Sequence, residues 1–180
     1  MEHSQPEQSA LRTSWETLSP EAIADLAFFD SYTTAEFERP KLGLIPEEME
    51  DKCFIFFEDS WLYFHRSWTG SAMFGVQFQS SEGGASVISS WVSRYIRDAR
   101  GPGTDYERAL LRFLIDALLL GKHADFPVPD DLPADAPAGV YQHHVVGRAY
   151  PEVPFPASAP DVATIRTQSW WTHFFKWFRG

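Results

Sequence analysis

Hydrophobic and polar positions are most ordered in the middle of the chain. Lys52 to Phe57 (KCFIFF), Trp61 to Ser67 (WLYFHRS), Ala72 to Ser80 and Ala85 to Arg94 are rich in aromatic and β-branched residues, which suit a pleated, half-buried surface. Glu58-Asp59-Ser60, Trp68-Thr69-Gly70 and Glu82-Gly83-Gly84 separate them. Each is short and turn-prone, so the pattern predicts an antiparallel meander of four strands. In the first strand Cys53, Ile55 and Phe57 share one face, and Phe54 and Phe56 the other. A strand apolar on both faces predicts a central place in a sheet covered on both sides. Gln77, Gln79, Ser86 and Ser90 give the third and fourth strands polar positions, which predicts a place nearer an edge.

Helical spacing appears on both sides of this block. Ser19-Pro20 is an N-cap followed by a first-turn proline, and Ala22, Ile23, Leu26 and Ala27 fall on one helical face. Thr33 with Glu36 has the spacing of a capping box, predicting a helix over Thr34 to Arg39 that ends at Pro40. The longest helix is expected over Asp105 to Leu120. Thr104 and Glu107 repeat the capping-box spacing, and Gly121 stands where a left-handed C-cap residue belongs. Asp105, Arg108, Arg112 and Asp116 form a thin polar stripe on it, so the helix is expected to be largely buried against one sheet face. The fold class that results is α+β: a four-stranded, mainly antiparallel meander, a buried helix on one face, and N- and C-terminal helices.

The chain divides accordingly into a mobile N-terminus over residues 1–12, an α+β core over 13–125, a wrapping loop over 126–160 and a C-terminal aromatic helix over 161–180. The loop region holds eight prolines in 35 residues. It offers Phe126, Val140, Tyr141, Val145, Val146, Tyr150 and Phe155 as anchors, with a short strand expected at Val145 and Val146. In the last segment Trp170, Trp171, Phe174, Phe175, Trp177 and Phe178 repeat at the spacing of one broad helical face.

Composition narrows the classes. The 180 residues carry a formal charge of −10, with 44% hydrophobic and 16% aromatic residues. That hydrophobic content supports a packed core rather than a disordered chain. The acidic balance argues against nucleic acid as a partner, because a phosphate backbone demands a basic surface. A single cysteine, Cys53, excludes an intrachain disulfide and a cysteine-built zinc site. The polar, acidic start has no signal-peptide pattern and no apolar run is long enough to span a bilayer, which predicts a cytoplasmic protein.

The candidate chemistry concentrates in Trp61 to Gly70, WLYFHRSWTG. On a strand, Arg66 shares a face with Leu62, Phe64 and Trp68, and His65 shares the other with Trp61 and Tyr63. A guanidinium among aromatic rings can stack on them and fork two hydrogen bonds to a phosphate or carboxylate. Ser67, Thr69 and the Gly70 backbone offer further donors. One reading is therefore a binding site of Arg66, His65, Trp61, Tyr63, Ser67, Trp68 and Thr69 for an anionic, phosphate-bearing small molecule or an acidic protein partner. The other is that Arg66 pairs internally with Glu58, Asp59 or Asp51 and fixes the meander. His65 is the only candidate for catalysis, as acid/base in an enzyme acting on a nucleotide or ADP-ribose-like substrate. No nucleophile stands at a recognised spacing from it.

Other features carry less. Adjacent residues of an extended chain point opposite ways, so His143-His144 is a poor chelator. His123 and Asp125 add no ligand spacing, and no metal or cofactor is called for. The glycine-rich phosphate loops, G-x-S-x-G and H-E-x-x-H are absent. Cys53 in an apolar strand reads as packing rather than as a nucleophile.

The C-terminal helix carries Arg166, Lys176 and Arg179 against Asp161. It can close its own domain, dock on a larger protein or form a homodimer. A membrane surface is the least favoured of its destinations.

At MEDKCFIFFEDSWLYFHRSWTG, with Glu50 to Gly70 matching in outline, and at the strand Met73 to Phe78 and Leu110 to Gly121, the chain resembles a family of small uncharacterised bacterial proteins. In that family an aromatic strand-turn-strand segment precedes a further strand and a leucine-rich helix. Cys53 stands where that pattern has Trp, and Ser60 where it has Gly. The resemblance covers less than half the chain and implies fold boundaries and a bacterial origin, with no activity to transfer.

Overall fold

The computed structural model describes residues 9–48, 50–94 and 103–128. Six strands and two helices form an α+β arrangement: β1 (Ala22–Asp25), β2 (Ser31–Thr33), α1 (Thr34–Leu42), β3 (Cys53–Glu58), β4 (Trp61–Arg66), β5 (Ala72–Ser81), β6 (Gly84–Arg94) and α2 (Thr104–Phe113). The helix α2 runs on through wider π-helical turns over Leu114–Leu119. The strands pair antiparallel in the order β1-β6-β5-β4-β3, and β2 also pairs with β6.

The four expected strands are all present, and two more join them. One is a correction: Ala22 to Asp25 is a strand on the outer edge of β6, not a helix begun at Ser19-Pro20. An eleven-residue strand leaves a long row of backbone groups to satisfy, and pairing with them outweighs the local helical spacing. Ser90 explains why this edge comes in two pieces. Its buried hydroxyl accepts from Phe28 N–H (2.9 Å), and its carbonyl accepts from Leu26 N–H (3.1 Å). The chain between β1 and β2 therefore bulges around one serine.

The places of the strands also differ from expectation. β3 lies at an edge, and β5 and β6 are interior. β3 is nonetheless apolar on both faces because both are covered, and its free edge is sealed. Leu44 and Ile55 exchange backbone hydrogen bonds of 2.8 and 2.9 Å. The close approach depends on Gly43, where a Cβ would stand 2.3 Å from the Ile55 carbonyl oxygen. Gln77, Gln79 and Ser86 mark an open face rather than an edge, while Ser90 is buried on the inner side opposite Val76.

α1 bears out the Thr33–Glu36 capping box, but Pro40 lies inside the helix, which ends at Gly43. In α2 the expected box is absent: Gly103 is the N-cap and makes no side-chain bond. Glu107 is instead buried and accepts from Arg94 of β6 through both carboxylate oxygens, one at 2.6 Å. Gly121 does take the left-handed conformation, with φ of 63°.

The inner face of the sheet packs Ile55, Leu62, Phe64, Phe74, Val76, Phe78 and Val87 against Leu110, Leu111, Leu114 and Ile115 of the helix and Phe37 of α1. Phe126 closes on Phe113 with ring centroids 5.1 Å apart, the one anchor of the expected wrapping loop that falls among the described residues. Ala10 is buried and donates its N–H to Leu42 (2.7 Å), so the expected mobility of residues 1–12 does not extend to this position. The remaining loop anchors, the strand at Val145 and Val146, His143-His144 and the C-terminal helix lie outside the described residues. No helix among the described residues is long and apolar enough to cross a membrane.

Candidate functional site: the outer aromatic face of the sheet

Alternation along β4 divides the sequence-predicted site between two faces. Phe64 belongs to the inner core, and His65 packs on Phe54 and Phe56 of the outer face, with centroids 6.5 and 5.6 Å away. Arg66 pairs in register with Cys53 and so lies on the inner side. Its positive charge opposes the upward shift of the Cys53 thiol, which burial raises to about 11. The guanidinium and the imidazole thus do not converge on one ligand.

The polar groups of the hairpin are largely engaged with the hairpin itself. His65 Nδ1 lies 2.8 Å from the Gly70 carbonyl. A carbonyl only accepts, so this nitrogen carries the proton. Burial lowers the His65 pKa, with the Gly70 bond opposing, and the ring is buried. Ser67 donates its hydroxyl to the Asp51 carbonyl (2.6 Å), and Thr69 Oγ1 lies 2.9 Å from Ser71 Oγ. The Trp15 indole N–H donates to the Ser67 carbonyl at 2.6 Å, tying the N-terminal segment to the turn. Trp68 is exposed, with the Lys52 ammonium 3.5 Å from its ring centroid. The Lys52 pKa is lowered, first by burial, with the neighbouring Arg66 charge adding to the shift.

Trp61 and Tyr63 belong to a different constellation. A row crosses the outer face in register: Phe56 of β3, Tyr63 of β4, Gly75 of β5, Trp91 of β6 and Asp25 of β1. Phe56 and Tyr63 stack at 5.0 Å, Tyr63 and Trp61 at 6.1 Å, and Tyr63 meets Trp91 at 6.4 Å. Gly75 makes room for the Trp91 indole to lie across the sheet. At the β3 end Ala10 and Ile45 cover the face. Toward β6 and β1 it opens: Tyr63, Trp61 and Trp91 are half-buried, and Ile23 is 56% exposed. Carboxylates flank the strip, Asp25 beside Trp91 and Glu58 beside Trp61. Arg12 lies 3.6 Å from Glu58.

Trp91 and Gly75 were legible only as strand residues, because their facing positions depend on register. A second group went unread for the same reason. Arg112 of α2 pairs with Asp30 beside β2, Lys122 pairs with Glu36 of α1 (2.7 Å), and the Tyr32 hydroxyl lies 3.4 Å from Asp30. Burial raises the Tyr32 pKa and also that of Asp116. The Lys122 bond and the capping contacts with Thr33 hold Glu36 down to about 2. Opposite charges meet throughout this group, which clamps α1 and β2 to the helix. Among the described residues no three His, Cys, Asp or Glu stand close enough to hold a metal. No family model, curated protein or solved structure matches the chain.

Proposed function

We propose that the protein is a binding module. Its interaction surface is the open outer face around Tyr63, Trp61 and Trp91, and its partner is an amphipathic helix with aromatic residues on one side and basic residues beside them. The observation that carries this reading is the in-register row Tyr63–Gly75–Trp91, which presents flat aromatic surface over a glycine floor. Apolar surface of this kind marks interaction sites, and amphipathic helices anchor their apolar side in such places. Asp25 and Glu58 at the flanks favour a basic partner and speed its encounter.

The test is titration of the full-length variant Trp171→Ser/Phe175→Ser/Phe178→Ser, whose own C-terminal rings no longer compete, with a synthetic helical peptide bearing Trp and Phe on one face and Lys at its borders. Binding is expected to weaken in Trp61→Ser, and to weaken with added salt and in Asp25→Lys/Glu58→Lys. Affinity unchanged in all three cases overturns this reading.

A second reading keeps an anionic, phosphate-bearing ligand at the hairpin end. It is favoured by the Lys52 ammonium over the exposed Trp68 ring with the Arg66 charge nearby. A ligand at about 100 times its Kd adds about 2.7 kcal/mol of stability. Thermal unfolding against nucleotides, ADP-ribose and inorganic phosphate should therefore show an upward shift that Lys52→Ala cancels. A flat series removes this reading.

A further inference from the structure

We infer that the occupant of the outer face is the C-terminal segment of the same chain, Thr164 to Gly180, which lays its aromatic side over the Tyr63–Gly75–Trp91 row. The inference rests on the outer face being a binding surface and names what it takes.

Three observations select this segment. The first is chemical fit. Trp170, Trp171, Phe174, Phe175, Trp177 and Phe178 recur at helical spacing, giving a strip of rings that would not stay in water. The inner face of the sheet is already covered by α2, its π-helical continuation and α1. The outer face beside Trp91 and Ile23 is the apolar sheet surface left open among the described residues.

The second is charge. Arg166, Lys176 and Arg179 outnumber Asp161 in a chain of formal charge −10. The strip they would meet has Asp25 at one end and Glu58 at the other. Basic residues bordering an aromatic face therefore find carboxylates bordering an aromatic row.

The third is reach. The described residues end at Val128, and residues 129–163 separate that point from the segment. At roughly 3.3 Å per residue a connection of that length spans up to on the order of 100 Å. The radius of gyration of a domain this size is about 14 Å, so the segment reaches any part of the surface. Tethering also raises its effective concentration to roughly the millimolar range, well above that of a free competitor.

The test uses the full chain with benzoylphenylalanine at Phe175, irradiated at micromolar concentration and mapped by mass spectrometry. Hydroxyl-radical footprinting of Trp61, Tyr63 and Trp91 accompanies it, in the native chain and in Trp171→Ser/Phe175→Ser/Phe178→Ser. The expected result is an adduct on outer-face residues in the monomer band. Oxidation of Trp61 and Trp91 should rise several-fold in the triple variant. An adduct in a dimer band overturns the inference in favour of a second copy. An adduct elsewhere or none, with the three side chains equally reactive in both proteins, overturns it and leaves the face for a partner supplied from outside. No adduct on the face, with the three equally protected in both proteins, overturns both this inference and the reading beneath it.

Discussion

Trp91 lies over Gly75, its cross-strand partner, in the space that a side chain at position 75 would fill. A Cβ there would stand 2.3 Å from Trp91 Cε2 and 2.4 Å from Nε1. The glycine is thus the floor on which the indole rests, and the indole replaces the packing that the glycine lacks. The same contact brings Trp91 to within 6.4 Å of Tyr63 on the far side of β5, so the open aromatic strip depends on it.

Gly75→Ala should therefore lift the indole. Overpacking of this kind costs about 1–3 kcal/mol, and the expected loss in urea unfolding falls in that range. In Trp91→Ala the added methyl has nothing to displace, so Gly75→Ala should cost little in that background. Additive costs in the double variant would mean that the two residues do not share the space.

The ion pair of Arg94 and Glu107 joins the end of β6 to α2, with the Glu107 side chain 4% exposed. Removing one partner strands the other. Arg94→Ala should cost about 3–5 kcal/mol, and Arg94→Met/Glu107→Leu distinctly less, because no buried charge is left behind. Chemical unfolding of the two variants decides it; a double variant as unstable as Arg94→Ala would show that apolar replacements do not fit the site.

Cys53 is the chain's single cysteine, buried in β3, with its thiol raised to about 11 by burial. The thiolate is the reactive form. Ellman's reagent at pH 8 should leave the native protein unmodified and titrate one thiol in denaturant. Rapid reaction in the absence of denaturant would show that the Leu42–Ile45 segment opens readily.

Burial lowers the His65 pKa, so the folded chain prefers the neutral ring. The unfolded chain takes up a proton near pH 6.5. The stabilisation is complete above about pH 6.5 and is lost as pH falls below it, by at most about 1.36 kcal/mol per pH unit for this group. An Asn amide can still donate to the Gly70 carbonyl. His65→Asn should therefore show a shallower fall in stability than the native chain between pH 7 and 5. Equal slopes would assign the acid sensitivity to other groups.

What the sequence alone determined is local. The strands Cys53–Glu58, Trp61–Arg66, Ala72–Ser81 and Gly84–Arg94 were readable within a residue or two, because turn residues and aromatic runs act over short distances. Asp59 and Ser60 both adopt positive φ in the two-residue loop between β3 and β4, where a short polar turn was expected. The Thr33–Glu36 cap was readable for the same reason. The tertiary structure decided everything that depends on which strand lies beside which. It turned Ala22–Asp25 from a helix into an edge strand, because β6 needed a partner. It placed β3 at the rim, because Leu44 seals its free edge. It drew Glu107 away from a helix cap to Arg94. Period two tells which residues share a face; only register across three strands could set Tyr63, Gly75 and Trp91 in one row.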